Sequence, residues 1–230
     1  MISKVALRLS IRLAALIALC AIATACGDSA SLFASFETRC AKLPSTHFEV
    51  VAVPLTFERD ESQSIAALTL KSGSALATHR TLGLTSAAFG YNTDIQLNVA
   101  DDRGDSRICG TPRVRIELSM QPVTVYIASE LAEQPCQHDV TLAHEMKHVE
   151  VSRQALELAA RDLARDFPVA IGAQLRTATN PSELQQRVVV SVRDYLAQFM
   201  RDRQRMLDAS QAAVDSPEEY ARVLNACAQS

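Results

Sequence analysis

The sequence predicts an α+β fold, with a mostly antiparallel β-sheet region in the N-terminal half packed on a C-terminal long-helix hairpin. Three observations predict it. Between residues 47 and 128, short segments alternate apolar with polar residues or are rich in β-branched ones, and Pro, Gly, Asn and Asp separate them. After Pro135 the apolar spacing becomes helical and stays so towards the C-terminus. Strands followed by helices, without alternation of the two, point away from a βαβ architecture.

The chain opens with Lys4, Arg8 and Arg12 ahead of the apolar run 13–25, and no acidic residue occurs before Asp28. This is the layout of a basic segment followed by a hydrophobic one too short to span a bilayer as a stable helix. The run ends Ala23-Thr24-Ala25, and Cys26 follows. Cleavage after an Ala-x-Ala site, lipidation of Cys26 and retention as an uncleaved anchor are the three readings. The stretch resembles a bacterial lipoprotein signal. That resemblance implies a lipidated Cys26 anchoring the chain to a membrane. Gly27 separates Cys26 from Asp28, which favours an outer-membrane lipoprotein facing the periplasm over inner-membrane retention; otherwise the chain is periplasmic or secreted. Residues 1–25 are thus read as a signal peptide, 26–45 as a tether with a helical turn at 32–40, and 46–230 as one domain. Its β-rich half is 46–130 and its helical half 136–230.

Strands are predicted at 48–53, 94–99, 113–118 and 123–127. In the third, Val114, Ile116 and Leu118 face one way and Arg113, Arg115 and Glu117 the other, the pattern of a sheet with one wet face. Residues 62–71 are ambiguous and compatible with a helix. A long helix is predicted at 141–167, interrupted by Pro168. The next begins at Asn180-Pro181-Ser182-Glu183, which supplies an N-cap, a proline at the first helical position and an acid in the first turn. It runs to about residue 214, and a short last helix occupies 218–227.

Composition excludes several classes. The 230 residues are 48% hydrophobic and 21% charged with a net charge of −3, and only one apolar run is long enough to discuss as a membrane element, so a polytopic membrane protein is excluded. There is no basic surplus to hold phosphates, so no nucleic-acid partner is expected. Removing residues 1–25 takes away Lys4, Arg8 and Arg12 and no acid, which moves the net charge from −3 to −6. Of six cysteines, Cys20 leaves with the signal and Cys26 is the lipidation candidate. The remaining four read as two disulfides in an exported chain, and three connectivities are possible. Cys109–Cys136 and Cys40–Cys227 are favoured, the first clipping a strand to a helix start and the second tying the ends of the domain together. None of these cysteines has the C-x-x-C spacing of a zinc site.

The chemistry is concentrated in His144-Glu145-Met146-Lys147-His148. Histidines at i and i+4 lie one turn apart on a helix and can both reach one zinc ion, while Glu145 can take a proton from the zinc-bound water. On the 141–167 helix, Leu142, Val149, Leu156, Ala160, Leu163 and Phe167 make an apolar stripe, and Lys147, Glu150, Arg153, Gln154, Glu157, Arg161 and Arg165 a polar face. The two histidines continue into Val151, Ala155, Leu158 and Ala159, so they point into packed protein. His47, His79 and His138 have no partner at ligand spacing and are read as structural or exposed.

With a sheet followed by an H-E-x-x-H helix, the sequence resembles the zincin metallopeptidases and, more loosely, the secreted zinc-dependent protease families of bacteria. The resemblance implies a catalytic Zn2+ held by His144 and His148, with Glu145 as general base and a peptide or protein as substrate. The chain departs from the family at Lys147 and Glu150, both on the polar face.

A catalytic zinc needs a third protein ligand. Asp166 is excluded, because 18 residues along one straight helix is about 27 Å. An antiparallel hairpin centred on residue 174 places 200–204 opposite the histidines, which makes Asp202 the favoured third ligand ahead of Glu183, Asp215 and Glu219. The expected function is an exported zinc-dependent peptidase that hydrolyses peptide bonds with a zinc-activated water. The alternative is a non-catalytic envelope lipoprotein, or an inactive protease homologue, that binds a protein or peptide partner.

Overall fold

The computed structural model describes residues 34–73, 80–102, 104–120, 122–172 and 176–228. Residues 1–25, for which the sequence predicts a signal peptide, Cys26 and His79 lie outside the described residues. The class is α+β with mixed sheets. In chain order the elements are α1 (Phe36–Ala41), β1 (His47–Ala52), β2 (Glu58–Asp60), α2 (Ile65–Lys71), β3 (Gly83–Ser86), β4 (Phe89–Asp102), β5 (Arg107–Met120), β6 (Thr124–Ile127) and a 3-10 turn (Ser129–Glu133). They continue with α3 (Pro135–Ile171), β7 (Arg176–Ala178), α4 (Pro181–Val214) and α5 (Pro217–Asn225).

The larger sheet is built on β5. Its alternation buries Val114, Ile116, Leu118 and Met120 on one face and leaves Arg113 and Arg115 exposed on the other. Each fully buried aliphatic side chain contributes roughly 1.5–3 kcal/mol of transfer free energy. β4 pairs antiparallel along the whole of β5. On the opposite side, β1 pairs parallel with the second half of β5, and β7 antiparallel with Ile108–Gly110. The sheet is therefore less uniformly antiparallel than predicted, and one of its strands comes from the helical half.

Val149, Leu156, Ala159, Leu163 and Phe167 of α3 and Val188, Val192, Leu196 and Phe199 of α4 join the β5 side chains in one core. Phe167 links three elements through edge-on ring contacts, to Phe48 of β1 at 5.1 Å and to Tyr195 of α4 at 5.5 Å between centroids. α3 starts at Pro135, earlier than predicted, because proline is well tolerated at the first helical position. It also continues past Pro168 for almost a turn before Gly172, whose φ of 77° ends it.

The smaller sheet has the order β2–β6–β3, with β2 parallel and β3 antiparallel to β6. β6 has a neighbour on both sides, and the edge strand beside α3 is β3. Ser64 and Glu130 cap the start of α2, accepting from the backbone N–H groups of Ala67 and Ile65.

The cysteine pairing is also corrected. Cys40 bonds to Cys109 and Cys136 to Cys227. The reason is packing: α1 lies against β4, where Arg39 donates to the Asp101 carbonyl, which brings Cys40 to the start of β5. α5 turns back against α3, which brings Cys227 to the first turn of that helix. Two disulfides are the usage of chains that fold in oxidising compartments. Among the described residues, no helix is long and apolar enough to cross a membrane.

Candidate metal centre

α3 presents His144 and His148 on one face, 6% and 7% exposed, towards the end of α4. There Asp215, the C-cap of α4, turns its carboxylate back between them. Asp215 Oδ1 is 3.0 Å from His144 Nε2 and 3.1 Å from His148 Nε2, and the two Nε2 atoms are 3.3 Å apart. Ligands about 2.0–2.1 Å from a tetrahedral zinc are separated by about 3.3–3.4 Å, so this triangle is the size of one face of such a site. Among the described residues, these three are the group of His, Cys, Asp and Glu side chains whose ligand atoms converge.

The other ring nitrogens are already committed. His144 Nδ1 lies 3.2 Å from Glu219 Oε1 and His148 Nδ1 2.5 Å from Gln211 Oε1. Gln211 is held in that orientation because its amide N–H donates to Ser152 Oγ at 2.9 Å and to the His148 carbonyl at 3.1 Å. Glu219 also accepts from Lys147 Nζ at 2.6 Å and from Arg222. With both Nδ1–H groups donating outward, the neutral rings aim two lone pairs at a carboxylate oxygen. Three acceptors at that spacing need a cation among them, either protons or a metal.

The electrostatics follow from this geometry. The Asp215 carboxylate, with Glu219 behind it, raises the pKa of His144 against the effect of burial. Burial works to lower His148 and is outweighed by Asp215 and Gln211, so it too is raised. Asp215 is partly buried, yet the two imidazoles hold it well below the usual carboxylate range. Arg222 and Lys147 do the same to Glu219.

Glu145 points to the other side of the histidines. It is 3% exposed, and burial pushes its carboxyl upward while a 2.8 Å hydrogen bond from Thr85 Oγ1 of β3 opposes the shift. β3 comes so close that a Cβ on Gly83 would lie 2.6 Å from Glu145 Oε1 and 2.8 Å from Thr141 Cγ2. Glu145, His144, His148 and Asp215 share one cavity of about 710 Å³, walled by Leu82 and Leu84 on one side and by Tyr220 and Val223 on the other. Burial and the Asp215 charge push the Tyr220 hydroxyl up to about 12.

Among the third-ligand candidates, Asp202 is corrected. It lies on the exposed side of α4, bonded to Gln198 and Arg205. The hairpin register is the cause: His148 meets Gln211 and His144 meets Asp215, where a centre at residue 174 had assigned them 200 and 204. Glu183 is spent on Thr179 and Arg187 at the start of α4. Of the two departures from the zincin pattern, Lys147 ties down Glu219, and Glu150 pairs with Arg153. His138 contacts Asp139 and Glu61, away from the cavity. Sequence reasoning missed Gln211, Ser152, Thr85, Gly83 and Tyr220. One signal was available: Gln211 and Asp215 repeat the i, i+4 spacing of His144 and His148 on the facing helix. Compared with protein-family models, curated proteins and solved structures, the chain matches none of them.

Proposed function

We propose that this chain is an exported zinc-dependent peptidase of the zincin type, with His144, His148 and Asp215 as the metal-holding residues and Glu145 as the general base. The observation that carries this reading is the convergence of two imidazole nitrogens and one carboxylate oxygen within 3.3 Å, with each outer ring nitrogen on its own acceptor. Two histidines and a carboxylate suit zinc, and a histidine whose second nitrogen donates to a carboxylate or carbonyl is the usual support for such a ligand.

A zinc ion bound there supplies Lewis acidity for a peptide carbonyl and makes water acidic near neutral pH. The protein supplies the rest. Glu145 Oε1 or Oε2 accepts the proton of the attacking water and returns it to the departing amine. Its burial raises the affinity of that carboxylate for a proton, which suits both halves of the transfer. Thr85 fixes the carboxylate from β3, and the edge of β3, which has no strand partner among the described residues, is where an extended peptide can lie. The sheets of the N-terminal half and the α3–α4 hairpin are read as the two walls that hold these groups at fixed spacing. A lipidated Cys26 on the periplasmic side of an outer membrane is the cellular setting this reading expects.

Metal analysis of protein purified without chelator, with cleavage of an unfolded protein such as casein, tests the proposal. About one zinc per chain with hydrolysis abolished by Glu145→Gln is the expected result. A metal-free chain, or undiminished hydrolysis by Glu145→Gln, overturns it. Zinc without hydrolysis favours the non-catalytic envelope lipoprotein.

A further inference from the structure

A nine-residue helix, α5, closes one side of the candidate metal centre. Its Glu219 receives His144 and Lys147, and Tyr220 and Val223 wall the cavity. Asp215 stands directly before Ser216, the residue that caps it. A helix of this length is not stable by itself in water. Val223 is its one buried residue, and its noncovalent ties to α3 run through Glu219, to half-exposed Lys147 and to His144 itself, and through the Tyr220 ring beside His144. Just beyond its far end, Cys227 is bonded covalently to Cys136 in the first turn of α3, closing a loop of sequence separation 91.

We infer that the Cys136–Cys227 disulfide is the positioning element of the metal centre, and that a dithiol reductant, by opening it, weakens metal binding at His144, His148 and Asp215. The inference rests on the metal-holding reading of those three residues. One thiolate of the reductant attacks one sulfur of the bridge to form a mixed disulfide, and its second thiolate displaces the protein sulfur. Two electrons and two protons pass to Cys136 and Cys227, which become thiols, and the dithiol becomes a disulfide. α5 then loses its far anchor, and Glu219 is no longer held against His144 Nδ1. The Cys40–Cys109 bridge joins α1 to β5 and touches none of these groups, so it is an internal control.

The test compares the full chain with Cys136→Ser/Cys227→Ser and Cys40→Ser/Cys109→Ser. Zinc affinity is read by competition with a chromogenic chelator, and amide exchange in α5 and β5 is read on the metal-free proteins. Loss of Cys136–Cys227 is expected to weaken zinc binding about 10- to 100-fold, the range for loss of a residue that supports a metal ligand. It is also expected to abolish protection in α5 while β5 stays protected. Loss of Cys40–Cys109 is expected to leave zinc affinity unchanged. If the first variant also loses β5 protection, the Cys40→Ser/Cys109→Ser chain, folded with Cys136–Cys227 formed and then reduced and capped with iodoacetamide, takes its place. Affinity and α5 protection that survive opening of Cys136–Cys227 overturn the inference while leaving the metal site standing. An oxidised chain that binds no zinc overturns both.

Discussion

Gly83 and Glu145 are in such close contact that a methyl group on the glycine would sit 2.6 Å from the carboxylate oxygen. A strand backbone and the candidate base are thereby held at one fixed separation, and the Thr85 hydroxyl adds a hydrogen bond two residues along. Gly83→Ala is expected to displace Glu145, lowering kcat at least tenfold while zinc content stays near one per chain. The overpacking costs about 1–3 kcal/mol of stability. Wild-type turnover in Gly83→Ala, measured on a casein or peptide substrate, counts against Glu145 as the base.

Asp215→Asn and Asp202→Asn separate the two hairpin registers. The first is expected to weaken zinc binding by more than the 10- to 100-fold typical of an outer residue, because it removes a ligand charge. The second, on the exposed side of α4, is expected to leave affinity within error of the native chain. Equal affinities in the two variants would show that the converging triangle does not hold the metal.

The metal-free protein has a defined pH response. His144 and His148 are raised above 6.5, so their contribution is complete below that value and is lost as pH rises through their folded pKa. Asp215 and Glu219 are lowered from 3.8 and 4.5, so theirs is complete above those values and is lost as pH falls through the folded ones. The cluster therefore stabilises the apo-protein most between about pH 4.5 and 6.5. Its Tm is expected to fall as pH rises above about 6.5, through the raised histidine values. Zinc replaces the protons, so the loaded protein is expected to lose this alkaline decline. Thermal melts at matched ionic strength, with and without chelator, read both slopes.

Phe167 carries the junction of β1, α3 and α4 and is fully buried. Phe167→Ala is expected to cost about 3–5 kcal/mol through lost transfer energy and a residual cavity. Urea denaturation checks this, and a change under 1 kcal/mol would mean that the core closes over the gap.

Much of this protein was legible before folding was considered. The alternation Val114, Ile116, Leu118 against Arg113 and Arg115 announced a strand with one wet face, and β5 buries those three residues. Asn180-Pro181-Ser182-Glu183 announced the start of α4, and the Asn180 side chain accepts from the Glu183 N–H there. The pairing of His144 with His148 followed from helical spacing alone. These are local properties, written in neighbours a few residues apart.

Other features depended on where distant segments meet. β7 was invisible because three residues carry no readable period, and β5 supplies its hydrogen bonds. The cysteine connectivity and the choice of Asp215 over Asp202 turned on the docking of α1 and on the hairpin register. Register is set by the summed packing along the two helices, from Phe167 against Tyr195 at one end to His148 against Gln211 at the other, and by the connection through β7, and no single residue encodes it. The sequence by itself determined which helix bears the two histidines and the acid between them. Only the tertiary structure decided which carboxylate faces the histidines, because several lie within reach along α4 and α5 and packing selects one of them.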